Sequence, residues 1–311
     1  MKTVAIVKDK TEYYPVFKKV FQEYGFKVRL YDVWEENQLD TLLSDSFDAF
    51  VWRAKHDPPI RSMARRFIHL FDQEFKLPTY PNWHSYWHYD DKIAQSILFK
   101  KHHIPAPRTN VFVNKDKALK FAKLTDYPLI YKCAHGAGSS NVGMLSTARQ
   151  AKRYINKAFK RGIATNFKED RQKDYVYFQE FLSNNSGDYR LVCYGDKMIH
   201  GFFRENRPHS FFASGSGRFQ VLDLDESMMN FIVDVNKKLL NDIMSYDLIR
   251  GHNDEWVITE MSVVYGDLTN DIYNQTPVYK KENGAWIKMD MPENHIDMTI
   301  KYIINDVWHW L

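Results

Sequence analysis

The chain has 311 residues, which is enough for two or three lobes with a sizeable hydrophobic core. Its composition, 44% hydrophobic and 26% charged, is that of an ordinary globular protein, and a net charge of +4 is too small to indicate a nucleic-acid partner. Lysines interrupt the first ten residues, so these residues lack the apolar stretch of a signal peptide. No apolar run approaches membrane-spanning length. The two cysteines, Cys133 and Cys193, have neither zinc-site spacing nor a disulfide pattern, so we expect a cytoplasmic protein with buried thiols and no membrane partner.

Residues 1–88 alternate between predicted strands and predicted helices. Strands are expected at Thr3–Val7, Lys27–Tyr31 and 47–52, and helices at 13–24 and 39–43. Strands that alternate with helices indicate a parallel sheet with helices on its faces. We therefore expect an N-terminal parallel α/β domain.

Basic side chains follow the third predicted strand. Arg53, Lys55 and His56 come directly after it, at the strand end where parallel sheets bind ligands. Our hypothesis is that some of these groups hold an acidic substrate. Arg65 and Arg66, further along, are better explained as a solvated helix face.

A helix is predicted to begin in the motif DDK. Asp90 or Asp91 has the character of an N-cap, and Ile93, Ile97 and Leu98 would form the buried face. Two prolines follow this helix, and they mark a crossing into the next lobe.

Residues 107–182 are predicted to form a small α+β lobe. Its segments are a helix at 118–124, strands at 129–133 and Val142–Leu145, a capped helix from 148 to 159, a charged loop at 161–174 and a strand at 175–182.

A glycine- and serine-rich loop at 135–141 joins two of these strands, and Lys132 comes just before it. The backbone N–H groups of such a loop can surround phosphate oxygens, and the lysine adds a point charge. A glycine-rich turn between strands is usually just a hairpin, and the absence of a GK[ST] ending excludes a P-loop.

Residues 183–311 are predicted to form the last lobe. A hairpin at 190–203 is turned by Gly195-Asp196, a loop of small residues covers 210–219, and a helix covers 227–240.

A second hairpin in this lobe is a candidate metal site. If Asn253 and Asp254 form a two-residue turn, counting outward places Asp247 opposite Glu260, with Ser262 on the same face. Facing carboxylates repel each other unless a cation lies between them, and oxygen ligands suit Mg²⁺. A nearby lysine or arginine that neutralises the pair accounts for this pattern equally well.

Four motifs, taken together, resemble those of one enzyme superfamily. In chain order they are YKCAHG with its glycine-serine loop, FQEFL, GDYRLVCYGDKMIHGFFREN and YDLI…WVITEMS. Their order and spacing resemble the ATP-grasp superfamily, and within it the branch of glutathione synthetase and the ribosomal-protein glutamate ligase. The resemblance spans residues 90 to 266. It implies a pre-ATP-grasp α/β domain (1–88) before a two-lobed ATP-grasp domain (89–311), whose small lid lobe is 107–182 and whose metal-binding lobe is 183–311.

The resemblance also implies roles for matching residues. Contacts to ATP phosphates are implied for Lys92, Lys132, Gly138, Ser139 and Ser140. The segment that meets the adenine matches Glu180, Phe181 and Leu182, and the ribose contact matches Asp188.

The implied catalytic and metal residues lie on the last lobe, apart from Lys132. Arg190 and Arg204 match arginines near the transferred phosphate or the acyl substrate. Asp247, Glu260 and Ser262 match the ligands of Mg²⁺, with Mn²⁺ as an alternative ion.

This sequence departs from the family pattern in two places. Ser262 stands where Asn is usual, and a hydroxyl is a poorer metal ligand, so one of two expected ions would bind weakly or through water. Phe212, Ala213 and Ser214 replace an Arg-Ser-Asn triplet, so the basic contact would pass to Arg218 or the acyl substrate would differ.

The implied activity is an ATP- and Mg²⁺-dependent ligase. It would activate a small-molecule or peptide carboxylate as an acylphosphate and join it to an amine. Two alternatives stay open, namely phosphoryl transfer to a hydroxyl and a non-catalytic ATP-binding scaffold. The sequence does not decide between a monomer and a homo-oligomer.

Overall fold

The computed structural model describes residues 1–8, 13–136, 141–168, 170–266 and 272–309. Among the helices in these ranges, none is both long and apolar enough to span a membrane. The fold comprises three main sheets, one parallel and two antiparallel, and a small two-stranded ladder.

The first part of the chain is a four-stranded parallel sheet with the order β2-β1-β3-β4, which confirms the predicted α/β class. Its elements are β1 (Thr3–Val7), α1 (Tyr13–Glu23), β2 (Lys27–Tyr31), α2 (Gln38–Ser44), β3 (Ala49–Val51), α3 (Pro58–His69), a π-helical turn (Leu70–Glu74) and β4 (Thr79–Tyr80). Val4 and Ile6 of β1 pack in one hydrophobic cluster, and Ala5 and Val7 in another. Both faces of the sheet are therefore covered, which explains why β1 is apolar from Val4 to Val7.

Two helices, α4 (Trp83–Tyr86) and α5 (Lys92–Lys101), connect this sheet to the next lobe. Asp91 is the N-cap of α5, because its Oδ1 accepts hydrogen bonds from the backbone N–H groups of Ile93 and Ala94 at 3.1 and 3.0 Å.

The predicted buried face of α5 is only partly right. Leu98 packs against the hydrophobic core, but Ile97 is 58% exposed, and Lys92, Gln95 and Phe99 are buried. The side-chain amide of Gln95 donates to the carbonyl of Met261 at 2.8 Å and accepts from the N–H of Met261 at 3.2 Å. Gln95 thus satisfies the backbone of a strand edge, which makes its burial favourable.

The small lobe is a four-stranded antiparallel sheet with the order β5-β10-β6-β7, covered by α6 and α7. Its elements are β5 (Thr109–Phe112), α6 (Lys115–Leu124), β6 (Leu129–Lys132), β7 (Val142–Leu145), α7 (Ala148–Ala158), β8 (Ile163–Ala164), β9 (Arg171–Gln172) and β10 (Val176–Glu180). The segment 161–174, predicted as a loop, contains the β8–β9 ladder. Two-residue strands are too short to give a periodic sequence signal.

The last lobe is a seven-stranded antiparallel sheet with the order β15-β14-β11-β12-β16-β17, to which β13 adds by pairing with β12. Its elements are β11 (Gly187–Tyr194), β12 (Met198–Glu205), β13 (Phe219–Gln220), α8 (Glu226–Lys238), β14 (Ile243–Arg250), β15 (Trp256–Ser262), α9 (Ile272–Gln275), β16 (Val278–Glu282), β17 (Ala285–Met289), α10 (His295–Tyr302) and a π-helical turn (Ile303–Val307). The predicted hairpin and helix of this lobe are confirmed.

The turn between β14 and β15 differs from the predicted two-residue turn. The N–H of Gly251 donates to the carbonyl of Glu255 at 2.8 Å, which encloses three residues. Asp254 has a φ of 64°, the left-handed conformation that three-residue hairpin loops use. Near this turn the register of the strand pairing differs by one residue from the predicted register, so that Arg250 faces Trp256.

A β-bulge in β15 restores the predicted pairing further from the turn. Leu248 faces Ile258, but the next pair is Asp247 with Glu260, so Thr259 is the extra residue. The predicted pair of carboxylates is therefore confirmed, although the path to it contains two irregularities that compensate each other.

Candidate functional site

A cleft is lined by strands of both antiparallel sheets. Its empty volume is about 900 Å³, which includes the solvent space at its opening. Strands β6 and β10 form one side, and β11, β14 and β15 form the other. Side chains that are distant in sequence therefore meet there.

Apolar side chains form one part of this lining, among them Ile130, Val142, Leu182 and the rings of Phe181 and Phe211. The last two rings contact edge to face, with centroids 4.8 Å apart. A flat aromatic ligand would find both dispersion contacts and ring contacts here.

The segment after β10 is held from one side by Arg108. The N–H of Glu180 donates to the carbonyl of Arg108 at 3.0 Å, and Glu180 Oε1 accepts from the N–H of Arg108 at 2.6 Å. These bonds fix the backbone that precedes Phe181 and Leu182.

Two buried lysines form the cationic part of the lining. Burial lowers the pKa of Lys132 to about 8, although the carboxylate of Glu260 acts in the opposite direction. Burial also opposes the charge of Lys92, but Glu260 and Asp90 outweigh it and raise the pKa of Lys92. The Nζ of Lys92 lies 3.2 Å from Glu260 Oε1.

Asp247 is paired with two arginines. Its oxygens accept from Arg190 Nε and Nη2 at 2.8 Å each, and Arg204 Nη2 lies 2.7 Å from Oδ2. Burial raises the pKa of Asp247, but these guanidinium groups outweigh burial and hold that pKa well below its usual range. Arg204 also donates to both oxygens of Asp188, at 2.6 and 2.8 Å. Protein cations therefore already neutralise the carboxylate pair, which is the alternative that the sequence left open.

The residues present still fit a magnesium ion. Among the described residues there is no group of three or more His, Cys, Asp or Glu side chains that could hold a metal alone. Mg²⁺ in phosphate chemistry is commonly held by one or two carboxylates plus substrate phosphates, and does not need a complete protein cage. Asp247 and Glu260 provide that number of carboxylates.

A second cavity adjoins the cleft and shares Asp247 and Glu260 with it. It holds about 610 Å³, counting its mouth, and its lining includes Arg190, Ser245 and Ser262. The hydroxyl of Ser262 donates to the carbonyl of Val264 at 2.5 Å. The buried hydroxyl of Ser245 has no hydrogen-bond partner within the described ranges.

The structure brings together most of the predicted site residues. The cleft is lined by Lys92, Lys132, Glu180, Phe181, Leu182, Asp188, Asp247 and Glu260. Arg190 and Ser262 line only the second cavity, and Arg204 lines neither. Gly138, Ser139 and Ser140 lie outside the described residues. The roles of all these residues stay predictions.

Sequence reasoning missed several lining residues, which come from loops and from the bulge. Asn185, Asn206, Phe211 and Thr259 are among them. Asn206 and Thr259 lie within the motifs that carry the resemblance, but no role was assigned to either, and no motif contains Asn185 or Phe211. Phe212, which the sequence marked as a departure from the family pattern, also lines the cleft. The composition of the loop 210–219 indicated only an irregular segment.

Two basic residues with open roles lie away from both cavities. Arg53 is 9% exposed, stacks 3.6 Å from the ring centre of Tyr13 and donates to the carbonyl of Tyr265. Arg218 pairs with Glu205. The prediction was that some of Arg53, Lys55 and His56 hold an acidic substrate; Arg53 lines neither cavity, whereas His56 lines the second one.

No model of a known protein family matches the sequence. The curated alpha-aminoadipate–LysW ligase LysX of Saccharolobus solfataricus is 23% identical over 205 residues, which cover 64% of this chain and 71% of the relative. The same enzyme of Sulfurisphaera tokodaii is 24% identical over 182 residues, and the match spans only 59% of its length.

Solved structures share the fold at low sequence identity. The ATP-grasp ligase PsnB, complexed with a minimal precursor, has a TM-score of 0.64 at 12% identity, with 99% of each chain covered. A RimK-domain ATP-grasp protein from Sphaerobacter thermophilus has a TM-score of 0.56 at 13% identity, with 85% of this chain and 92% of that chain covered. The chain thus has the fold of these ATP-grasp proteins.

Proposed function

We propose that this protein is an ATP- and Mg²⁺-dependent ligase that joins a carboxylate to an amine. One observation carries the proposal. A single cleft combines an apolar lining, two buried lysines and the facing carboxylates Asp247 and Glu260. The apolar lining suits the adenine base, the lysines suit the phosphate chain, and the carboxylates suit a phosphate-bound metal.

The nucleotide would place its adenine against Phe181 and Leu182 and its phosphates near Lys92 and Lys132. Arg190 and Arg204 pair with Asp188 and Asp247, whereas Lys92 and Lys132 line the cleft itself and would face the phosphates.

Asp247 and Glu260 would hold Mg²⁺ against the phosphates, and Ser262 would reach it through water. When bound, the ion supplies charge stabilisation to the transferred phosphoryl group. Arg190 and Arg204 fix the orientation of the Asp247 carboxylate through the paired hydrogen bonds described above.

The second cavity would hold the acid, because it shares the carboxylate pair with the cleft. The substrate carboxylate would attack the γ-phosphorus of ATP, forming an acylphosphate and releasing ADP. The amine would then attack the acyl carbon, forming the amide and releasing phosphate. PsnB has been solved with a precursor peptide, and LysX is an alpha-aminoadipate–LysW ligase, so either a peptide or a small molecule fits this scheme.

The proposal is tested by measuring ADP release with pairs of acids and amines. Hydroxylamine can serve as a general amine, because it traps an acylphosphate as a hydroxamate. We expect Lys132→Met and Glu260→Gln each to lower the rate by at least about 100-fold, since the first removes a cation beside the phosphates and the second removes a carboxylate that would hold Mg²⁺ there.

Exposed residues provide matched controls. Lys120→Met on α6 and Glu226→Gln on α8 change the same residue types outside both cavities, and should leave the rate unchanged. A stable phosphorylated product without an amine requirement would instead identify a phosphotransferase. ATP binding without turnover over a broad panel would identify a scaffold.

A further inference from the structure

Asp90 lies directly before the N-cap of α5, and its contacts differ from those of Asp91. Its Oδ1 accepts from the N–H of Gly136 at 2.8 Å, and its backbone carbonyl accepts from Nδ1 of His135 at 2.6 Å. Asp90 is 5% exposed and has a φ of 50°. A residue other than glycine holds this backbone conformation at an energetic cost, so the surrounding contacts must maintain it.

Arg61 of α3 supplies the counter-charge for Asp90. Its Nη1 forms a buried ion pair with Asp90 Oδ2, and its Nη2 lies 3.8 Å from Asp170 Oδ2. Arg61 belongs to the helices of the parallel sheet, whereas Gly136 follows β6 of the small lobe. The ion pair therefore joins two parts of the fold.

The turn that Asp90 holds also contacts Lys92. The Nζ of Lys92 donates to the carbonyl of Gly136 at 2.8 Å, and its backbone N–H donates to the carbonyl of Ala134 at 2.9 Å. Asp90 and Lys92 thus bind opposite polar groups of one residue, Gly136. Lys92 and Gly136 line the cleft, whereas Asp90 lines only the second cavity.

We propose that Asp90, with Arg61 as its counter-ion, is a positioning residue for the phosphate-binding part of the cleft. It fixes the Gly136 backbone and, through it, the Nζ of Lys92, without touching the nucleotide. The inference rests on the proposed binding of ATP. Charge-assisted hydrogen bonds are short and directional, so a buried carboxylate can hold a backbone segment more firmly than an amide can.

The test compares a ligand that has phosphates with one that has none. Calorimetry on the full chain would measure Kd for a non-hydrolysable ATP analogue with Mg²⁺ and for adenosine. For Asp90→Asn we expect the analogue Kd to rise about 10- to 100-fold, as for other residues that orient ligand-binding groups. The adenosine Kd should stay within about twofold of wild type, because adenosine does not use Lys92.

Variants of Arg61 test the ion pair itself. Arg61→Gln should raise the Kd of the analogue as Asp90→Asn does. The Kd of the double variant should be no higher than that of the single variants, because the two residues act as a unit. Arg61→Lys keeps the positive charge and should recover part of the affinity. Arg66→Gln on the same helix is the control, since among the described residues the guanidinium of Arg66 donates to Ser62 of α3 itself.

The outcomes separate this inference from the proposed function. An equal loss for adenosine and the analogue, or no loss for either, would overturn the positioning role. If the wild-type protein binds neither ligand, the proposed function itself is wrong. If Asp90→Asn fails to fold, Arg61→Gln provides the same comparison of the analogue with adenosine, and Arg61→Lys shows whether the retained charge recovers affinity.

Discussion

At the scale of single residues, the two lysines of the cleft have opposite environments. Lys92 lies beside Glu260 and Asp90, and its pKa is raised. Burial dominates at Lys132, and its pKa falls to about 8. The carboxylate partners therefore keep Lys92 charged throughout the physiological range, whereas Lys132 loses its charge near the upper limit of that range.

This difference predicts how nucleotide affinity depends on pH. Lys132 is mostly protonated below pH 8 and mostly neutral above it. Phosphates bind the protonated form, so the Kd of an ATP analogue should rise above pH 8, by up to about tenfold per pH unit. Calorimetry between pH 6.5 and 9.5 would measure this.

Lys132→Arg is the matched variant, because a guanidinium stays protonated over that whole range. Its Kd should change little with pH, even if its absolute affinity is lower. A wild-type affinity that is constant from pH 7 to 9.5 would contradict the role of Lys132 as a phosphate contact.

At the scale of single elements, α5 shows how a helix can bury polar residues. Lys92 and Gln95 lie on its buried face, and each finds partners on another element. The apolar Ile97 is exposed instead. A search for apolar periodicity misses the polar part of such a buried face, because the partners of the polar residues lie far away in sequence.

Substitutions of the neighbouring residues Asp90 and Asp91 should affect different properties, namely nucleotide affinity and stability. Asp91→Ala removes the N-cap of α5 and should lower the free energy of unfolding by about 1 kcal/mol, within a range of roughly 0.5–2. Urea denaturation measures this. The Kd of the folded variant for an ATP analogue should stay within about twofold of wild type.

Thr147→Ala provides a comparison on α7, where Thr147 caps the helix through a 3.3 Å bond from the N–H of Gln150. Its stability cost should be similar. A large loss of nucleotide affinity in Asp91→Ala would show that capping and positioning are not separate functions of the two aspartates.

At the scale of the whole molecule, the cleft is a product of three parts. The small sheet contributes Lys132, the large sheet contributes Asp247 and Glu260, and α5 contributes Lys92. A ligand that contacts all of them stabilises the arrangement in which they meet, because it binds only the folded state.

Thermal unfolding should therefore respond to nucleotide and metal together. At 100 times its Kd, an ATP analogue with Mg²⁺ should add about 2.7 kcal/mol to the stability and raise Tm by at least about 3 °C. EDTA, which removes the ion, should abolish much of the shift. In the Glu260→Gln variant, EDTA should change the nucleotide-induced shift of Tm much less than it does in the wild type. Equal shifts with and without the ion in the wild type would contradict the metal site.

The sequence predicted the order of elements and the chemical character of the site. Alternating apolar segments determine a parallel sheet locally, and the period of a strand determines which side chains share a face. The pairing of Asp247 with Glu260 is an instructive case. The prediction of the pair was right, but the three-residue turn and the bulge at Thr259 that produce it were not foreseen.

The sequence by itself determined the features that are set by residues close together in the chain. These are the strands, the helix caps and the motifs that bring carboxylates and lysines into the cleft. Only the tertiary structure decided which polar groups are buried and what they hold. Gln95 binds a strand 166 residues away, and Asp90 binds Gly136, 46 residues away. Such contacts leave no periodic signal, because they depend on how whole elements pack and not on the spacing of side chains within one element.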